Sequence, residues 1–307
     1  MNRISPEIIA PSIRIPVERE EAAPRLLSDL VLLVKARLTM LVIITTFVGF
    51  CMASGGRLDL WLLFWTLTGT ALVAGASQTL NQVIEVEVDR LMERTQDRPI
   101  PAGRIKRLHA LFFGVAMAIT GVFVLAFLVN ISAAVMAGAT LFIYLGLYTP
   151  LKRHTPFCIT VGAVAGAIPP ALGWMAVKPS MDAGAAILFA LLFFWQMPHF
   201  LAIAWMYREE YANAGFVMLR PKDLSGSVTA LESLIFTVAL AATALAPYLF
   251  KLASPVYLIG AILLNALMLF FAVGFLLKRH RESARCLFFA SIIYLPLLLA
   301  LLVFTRI

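Results

Sequence analysis

The sequence predicts an all-α protein: a polytopic membrane bundle of nine transmembrane helices around a central cavity, with a cytoplasmic N-terminus. Three observations predict it. The 307-residue chain is 61% hydrophobic and only 14% charged, with a mean hydropathy of +0.91. An ordinary soluble domain carries about 25% charged residues, so most of this chain has lipid as its solvent. Nine apolar runs, each about long enough to cross a bilayer as a helix, follow one another: Leu38–Ser54, Leu60–Ile84, Leu108–Val129, Ile131–Tyr148, Phe157–Val177, Ala183–Met206, Val228–Phe250, Val256–Leu277 and Cys286–Thr305. Finally, with the N-terminus inside, every one of the 25 Lys and Arg residues except Arg57, Lys178, Lys251 and Arg306 falls on the inner side. That bias is the signature of cytoplasmic basic loops. It also accounts for the net charge of +8 without a nucleic-acid partner, for which the chain shows no zinc-finger, RNP-like or helix-turn-helix signature.

Residues 1–28 read as a polar cytoplasmic tail, with room for a short surface helix, ahead of a membrane domain at 29–307. The tail mixes four Arg with four Glu, whereas a transit peptide is poor in acids. Cys51, Cys158 and Cys286 are far apart and lack metal-site spacing, so they read as small apolar residues. The fifth run contains Gly162, Gly166, Pro169 and Pro170. Small residues four apart let helices approach closely, and the paired prolines predict a broken or kinked helix. Pro198, Pro247 and Pro296 interrupt other runs.

The densest chemistry comes after the second run. Asn81, Glu85, Asp89, Glu93 and Asp97 recur every four residues, and Arg90, Arg94 and Arg98 form a second ladder one residue on. If the helix continues, Asn81, Glu85 and Asp89 share one face. Ionisable groups on the tail of an apolar helix mark a functional polar site by default. Oxygen donors on one face suit Mg²⁺, which takes one or two carboxylates plus phosphate oxygens and waters. Nearby arginines suit the phosphates. The constellation therefore predicts a diphosphate–magnesium site with Asn81, Glu85 and Asp89 as metal ligands. A solvated loop with i,i+4 ion pairs explains Glu93 and Asp97 equally well.

The block Asn-xxx-Glu-xxx-Asp-xx-Met-x-Arg-Thr-xx-Arg-Pro, running from Asn81 to Pro99, resembles the first motif of the protohaem IX farnesyltransferases, or haem O synthases. These belong to the intramembrane aromatic prenyltransferases. The resemblance runs from about Lys35 to the last helix. Tyr148-Thr149-x-x-Lys152-Arg153 and Trp195-Gln196-x-Pro198-His199-Phe200 resemble two further signatures of that family. Read without the resemblance, Lys152 and Arg153 are adjacent cations at a membrane face that suit a diphosphate or a propionate or serve as membrane anchors, and His199 is a hydrogen-bonded packing residue or a cavity residue. Many relatives with quinone or phenolic acceptors carry a second Asp-rich motif after the sixth run. Here that loop holds Tyr207, Glu210 and Tyr211 instead, which agrees with the haem branch and leaves a second metal arrangement open.

What the resemblance implies is transfer of a farnesyl group from farnesyl diphosphate to a vinyl group of haem B, giving haem O. Mg²⁺ is the implied cofactor, and haem is a substrate. Arg94, Arg98, Lys152 and Arg153 would complete the diphosphate clamp. Tyr148, Trp195, His199, Phe200, Tyr207, Glu210 and Tyr211 would line the substrate cavity. The implied location is the bacterial inner membrane with the site facing the cytoplasm, and the implied partner class is a haem A synthase or terminal oxidase. Other readings are a prenyltransferase with a quinone-precursor or chlorophyll-like acceptor, an organic-anion transporter, and an oxidase assembly subunit. The basic loop at Lys278–Arg285 reads mainly as an orientation signal.

Overall fold

The computed structural model describes residues 26–307, so most of the expected tail lies outside the described residues. A short helix α1 (Leu26–Leu33) leads into the bundle. Nine helices long and apolar enough to cross a membrane are present among the described residues: α2 (Ala36–Ala53), α3 (Leu60–Asp89), α4 (Arg107–Leu128), α5 (Ile131–Leu151), α6 (Cys158–Val177), α7 (Ala183–Met206), α9 (Ser227–Leu249), α10 (Pro255–Lys278) and α11 (Arg281–Phe304). Between α7 and α9 lies a single short helix, α8 (Arg208–Asn213). The protein is an all-helical, multi-pass membrane protein.

Three of the helices start at the same end of the bundle with the same device. Asp59 accepts from the backbone N–H groups of Trp61 and Leu62, Asn130 from Ala133, and Asp182 from Ala185. Each side chain satisfies donors that the first helical turn leaves unpaired. The chemistry lies at the opposite end, where α3 and α5 finish and α8 sits.

α6 is the most buried span, at 78%, and α4 and α5 are the least buried, at 17% each. α6 packs against α2, α5 and α7, while α11 closes against α7, α10 and α2. Large apolar side chains such as Phe112, Phe127, Leu263 and Phe270 face outwards. In water this belt would be a liability; in lipid it costs nothing.

The paired prolines do not break α6, because the helix runs unbroken through Pro169 and Pro170. Packing explains the difference. α2 crosses α6 so closely that Gly49 lies against the Pro170 carbonyl and Gly173 against the Thr46 carbonyl. In a dry interior the remaining helical hydrogen bonds have no water to compete with them. Pro198 and Pro296 are also accommodated within continuous helices, whereas α9 loosens between Thr243 and Ala246, next to Pro247. The last helix starts at Arg281, earlier than the apolar run at Cys286, because the His280 ring caps it by accepting from the Ser283 N–H.

The start of α9 is secured from the preceding loop. Asp223 accepts from the N–H groups of Val228 (3.2 Å) and Thr229 (2.8 Å) and from the Thr229 hydroxyl (2.6 Å). Burial pushes this carboxyl up, but those hydrogen bonds outweigh it and hold its pKa below the ordinary value. Its contribution is therefore fully present above about pH 4, the unfolded Asp value, and is lost as pH falls through the lower folded value. Asp223→Ala is expected to cost about 1 kcal/mol at neutral pH. Thermal unfolding in detergent at pH 7 and pH 3 checks this: the deficit should shrink at the acid end.

Candidate functional site

α3 continues to Asp89, about a turn and a half past its apolar run. Gln78, Asn81, Glu85 and Asp89 consequently share its buried face, and the latter three are at most 5% exposed. The ladder splits at this point. Glu87 pairs with Arg90 on the outside, and Glu93 and Asp97 are exposed, as expected for a solvated loop.

Each buried carboxylate faces its own cation. Lys152, just after α5, reaches both Glu85 oxygens with its Nζ at 2.9 and 3.1 Å. Arg98 contacts both Asp89 oxygens through Nη1 at 2.8 and 2.7 Å. The chain after α3 can return there because the Thr95 hydroxyl donates to the Asp89 carbonyl at 2.8 Å. Burial pushes the Lys152 ammonium down, but Glu85 and its hydrogen bonds more than offset this and raise the pKa. Asn81 donates to the Thr149 hydroxyl at 3.2 Å, which ties the top of the polar stripe to the same α5 end.

Aromatic rings surround these pairs. The Lys152 Nζ lies 4.5 Å from the Tyr148 ring centre and 5.7 Å from Phe216. Arg94 lies over Tyr207 and Tyr211, at 5.6 and 5.7 Å, and donates to the Tyr211 hydroxyl at 3.2 Å. Tyr148 has room to lie flat because Gly162 on α6 has no side chain to oppose its ring. Beside Tyr211 on α8, one carboxylate oxygen of Glu210 is buried without a hydrogen-bond partner among the described residues.

The structure thus gathers Asn81, Glu85, Asp89, Arg94, Arg98, Tyr148, Lys152, Tyr207, Glu210 and Tyr211 at one end of the bundle. Arg153 is exposed and makes no ion pair or ring contact among the described residues. Trp195 and His199 belong to a separate cluster where α7 meets α11. Their rings stack at 4.9 Å, and His199 also meets Phe288 at 4.9 Å and Phe200 at 5.6 Å. The single hydroxyl proton of Ser291 goes to the Phe288 carbonyl at 2.6 Å. His199 Nδ1 therefore donates to the Ser291 oxygen at 2.8 Å, leaving Nε2 as the acceptor nitrogen.

The motifs passed over Lys35. It sits between α1 and α2 in a left-handed conformation, φ 46°. Its ammonium has no hydrogen bond or ion pair among the described residues. Burial, then the charges of Arg98 and Lys152, lower its pKa to about 7, against the pull of Glu85 and Asp89. Nothing in its immediate sequence separates it from an ordinary membrane-edge lysine; only its approach to the site does.

A membrane-embedded pair of buried carboxylates, each matched to a cation and walled by aromatic rings, defines a site for a charged group at the edge of an apolar bundle. The family model described as UbiA prenyltransferase family matches residues 42–293, and the chain belongs to that family. It is 44% identical over 280 residues to the protoheme IX farnesyltransferase of Opitutus terrae, covering 91% of this chain and 95% of the relative. Its fold matches a structure of digeranylgeranylglyceryl phosphate synthase with a TM-score of 0.78 at 19% identity, covering 91% of this chain and 98% of the other. It also matches a UbiA homologue of Archaeoglobus fulgidus, bound to GPP and Mg²⁺, with a TM-score of 0.64 at 13% identity, covering 89% and 99%.

Proposed function

We propose that the protein transfers the farnesyl group of farnesyl diphosphate to a vinyl group of haem B, giving haem O, at the inner membrane with the site facing the cytoplasm. The observation that carries the reading is the double ion pair, Glu85 with Lys152 and Asp89 with Arg98, on the buried stripe that ends α3. The shared name of its relatives supplies the acceptor.

The residues fit Mg²⁺. Asn81, Glu85 and Asp89 offer hard oxygen donors on one helical face. No group of three His, Cys, Asp or Glu side chains closes around a point among the described residues. Mg²⁺ commonly takes one or two carboxylates and keeps waters and substrate phosphates for the rest of its shell. When bound, Mg²⁺ would neutralise charge on the departing diphosphate.

Arg94, Arg98, Lys152, Arg153 and Lys35 are the cations assigned to the diphosphate. Its allylic carbon–oxygen bond breaks and the electron pair leaves with the phosphate. Preorganised cations stabilise that charge without reorganising at the moment of reaction. Tyr148 and Tyr207, whose rings lie beside Lys152 and Arg94, are assigned to the wall around the allylic cation. The vinyl π pair then forms the carbon–carbon bond, and water adds to the resulting cation with loss of a proton to solvent. Trp195 and His199, away from the ion pairs, are assigned to the acceptor. A haem A synthase or terminal oxidase is the partner class that would receive the product.

Membranes supplied with haem B, farnesyl diphosphate and Mg²⁺ test the reading by mass spectrometry of the porphyrins. A product heavier by one farnesyl and one water, lost with EDTA, supports it. Unchanged haem with folded protein refutes it and points to a quinone-precursor acceptor.

Lys35 makes a separate prediction. A cation titrating near pH 7 is charged below that pH and neutral above it. The kcat/KM for farnesyl diphosphate, which reports the free enzyme, should therefore fall as pH rises through about 7. Lys35→Gln should lower it about tenfold at pH 6 and flatten the profile. Lys35→Arg, charged throughout, should move the fall out of this range.

A further inference from the structure

A cavity of about 420 Å³ opens beside the ion-pair site and is lined by Met206 and Tyr207 at the end of α7 and by Arg281, Glu282, Arg285, Phe288 and Phe289 from the first turns of α11. Its volume lies within the range of small-molecule sites, about 300–1,000 Å³. It shares a wall with the ion pairs. The Tyr207 ring receives Arg94 at 5.6 Å and Arg281 at 6.0 Å. Phe288 lines the cavity and touches the His199 ring behind it.

The charges here are unusual for a purely orienting loop. Arg281 and Arg285 stand one helical turn apart, about 6 Å along the axis. Neither guanidinium has a carboxylate partner among the described residues. Aromatic rings hold both: Arg281 faces Tyr207, and Arg285 faces Phe289 at 5.5 Å. Glu282 also lines the cavity, as an exposed anionic group at its mouth. Two unpaired cations beside an apolar, ring-lined cavity call for a ligand with two anionic groups on one edge of a flat apolar body.

We propose that this cavity binds the acceptor by its edge, with Arg281 and Arg285 each taking one propionate of haem and with Met206, Phe288 and Phe289 against the porphyrin. The assignment rests on the haem reading above and adds to it where the acceptor docks. Guanidinium–carboxylate pairs are directional and stronger than neutral hydrogen bonds. Tyr207 is then the partition between acceptor and diphosphate, and its ring faces a cation on behalf of each. The basic loop that reads in the sequence as an orientation signal becomes a recognition element.

The test is equilibrium haem binding to the full chain in nanodiscs, monitored through the Soret band. Haem B is compared with its dimethyl ester, whose propionates carry no charge. Wild type, Arg281→Gln, Arg285→Gln and the double variant are measured in neutral and in anionic lipid, with farnesyl diphosphate affinity as the control. Both arginines are exposed, so the variants should fold. We expect wild type to prefer haem B to the diester, each single variant to lose about tenfold in haem affinity, and the double variant to bind both porphyrins alike. Farnesyl diphosphate affinity should not change. A double variant that still prefers haem B overturns the docking site while leaving the haem reading intact. An effect confined to anionic lipid overturns it in favour of headgroup contacts. A wild-type protein that neither binds nor converts haem removes the underlying reading, and this inference with it.

Discussion

Glu85→Ala is expected to abolish prenyl transfer, with a loss of at least about 10³-fold, and also to destabilise the protein. The second effect comes from Lys152. Its side chain is 12% exposed, against 6% for Glu85, so removing the carboxylate strands a buried cation at a cost of about 3–5 kcal/mol. Loss of activity alone would therefore not separate chemistry from collapse. The double variant Glu85→Ala/Lys152→Ala does separate them. Removing both charges should restore most of the stability, since a buried pair often adds little over its absence. Activity should stay at background, because neither the metal donor nor the phosphate cation returns. Thermal unfolding in detergent and product mass spectrometry read the two quantities on the same samples. Wild-type turnover in Glu85→Ala would sink the assignment of the site.

The largest purely structural effects are expected at Gly49 and Gly173. A methyl group on Gly49 would run into the Pro170 carbonyl, and one on Gly173 into the Thr46 carbonyl and the Phe50 nitrogen. The obstacles are backbone atoms, which cannot rotate away, so α2 and α6 would have to separate. Overpacking of this kind costs about 1–3 kcal/mol, and more where backbone must move. Gly138 on α5 is the control, with nothing within 4 Å of an added methyl. There, alanine should stabilise by about 0.5–1 kcal/mol through helix preference alone. Equal melting temperatures for Gly49→Ala and Gly138→Ala would contradict the close crossing. Activity should fall with stability at Gly49 and Gly173, because α6 carries Gly162, the seat of the Tyr148 ring.

The contrast between legible and illegible features obeys one rule. Asn81, Glu85 and Asp89 were readable because a four-residue spacing fixes a shared face within one helix. The three arginines of the second ladder were equivalent by the same rule, and the structure divides them. Arg90 turns out to Glu87, Arg94 lies over Tyr207 and Tyr211, and Arg98 returns to Asp89. The helix stops at Asp89, so helical spacing no longer governs the residues beyond it. Lys35 is illegible in the sequence for the same reason. Its approach to the site depends on a left-handed turn between two helices. The prolines of α6 show the converse: local chemistry predicts a break or a kink, and the helix runs on through both without a break.

The sequence by itself determined the nine spans, the buried carboxylate stripe and the family, because hydropathy, helical period and motif spacing are properties of contiguous residues. Only the tertiary structure decided which cation meets which carboxylate, that Trp195 and His199 form a ring cluster against α11, and that the Tyr207 ring receives both Arg94 and Arg281 from distant parts of the chain. These contacts join residues up to 113 positions apart, as Arg94 and Tyr207 are. The physical reason is that local pattern fixes each helix and its buried face, whereas the partner of a buried charge is set by helix crossings and loop paths.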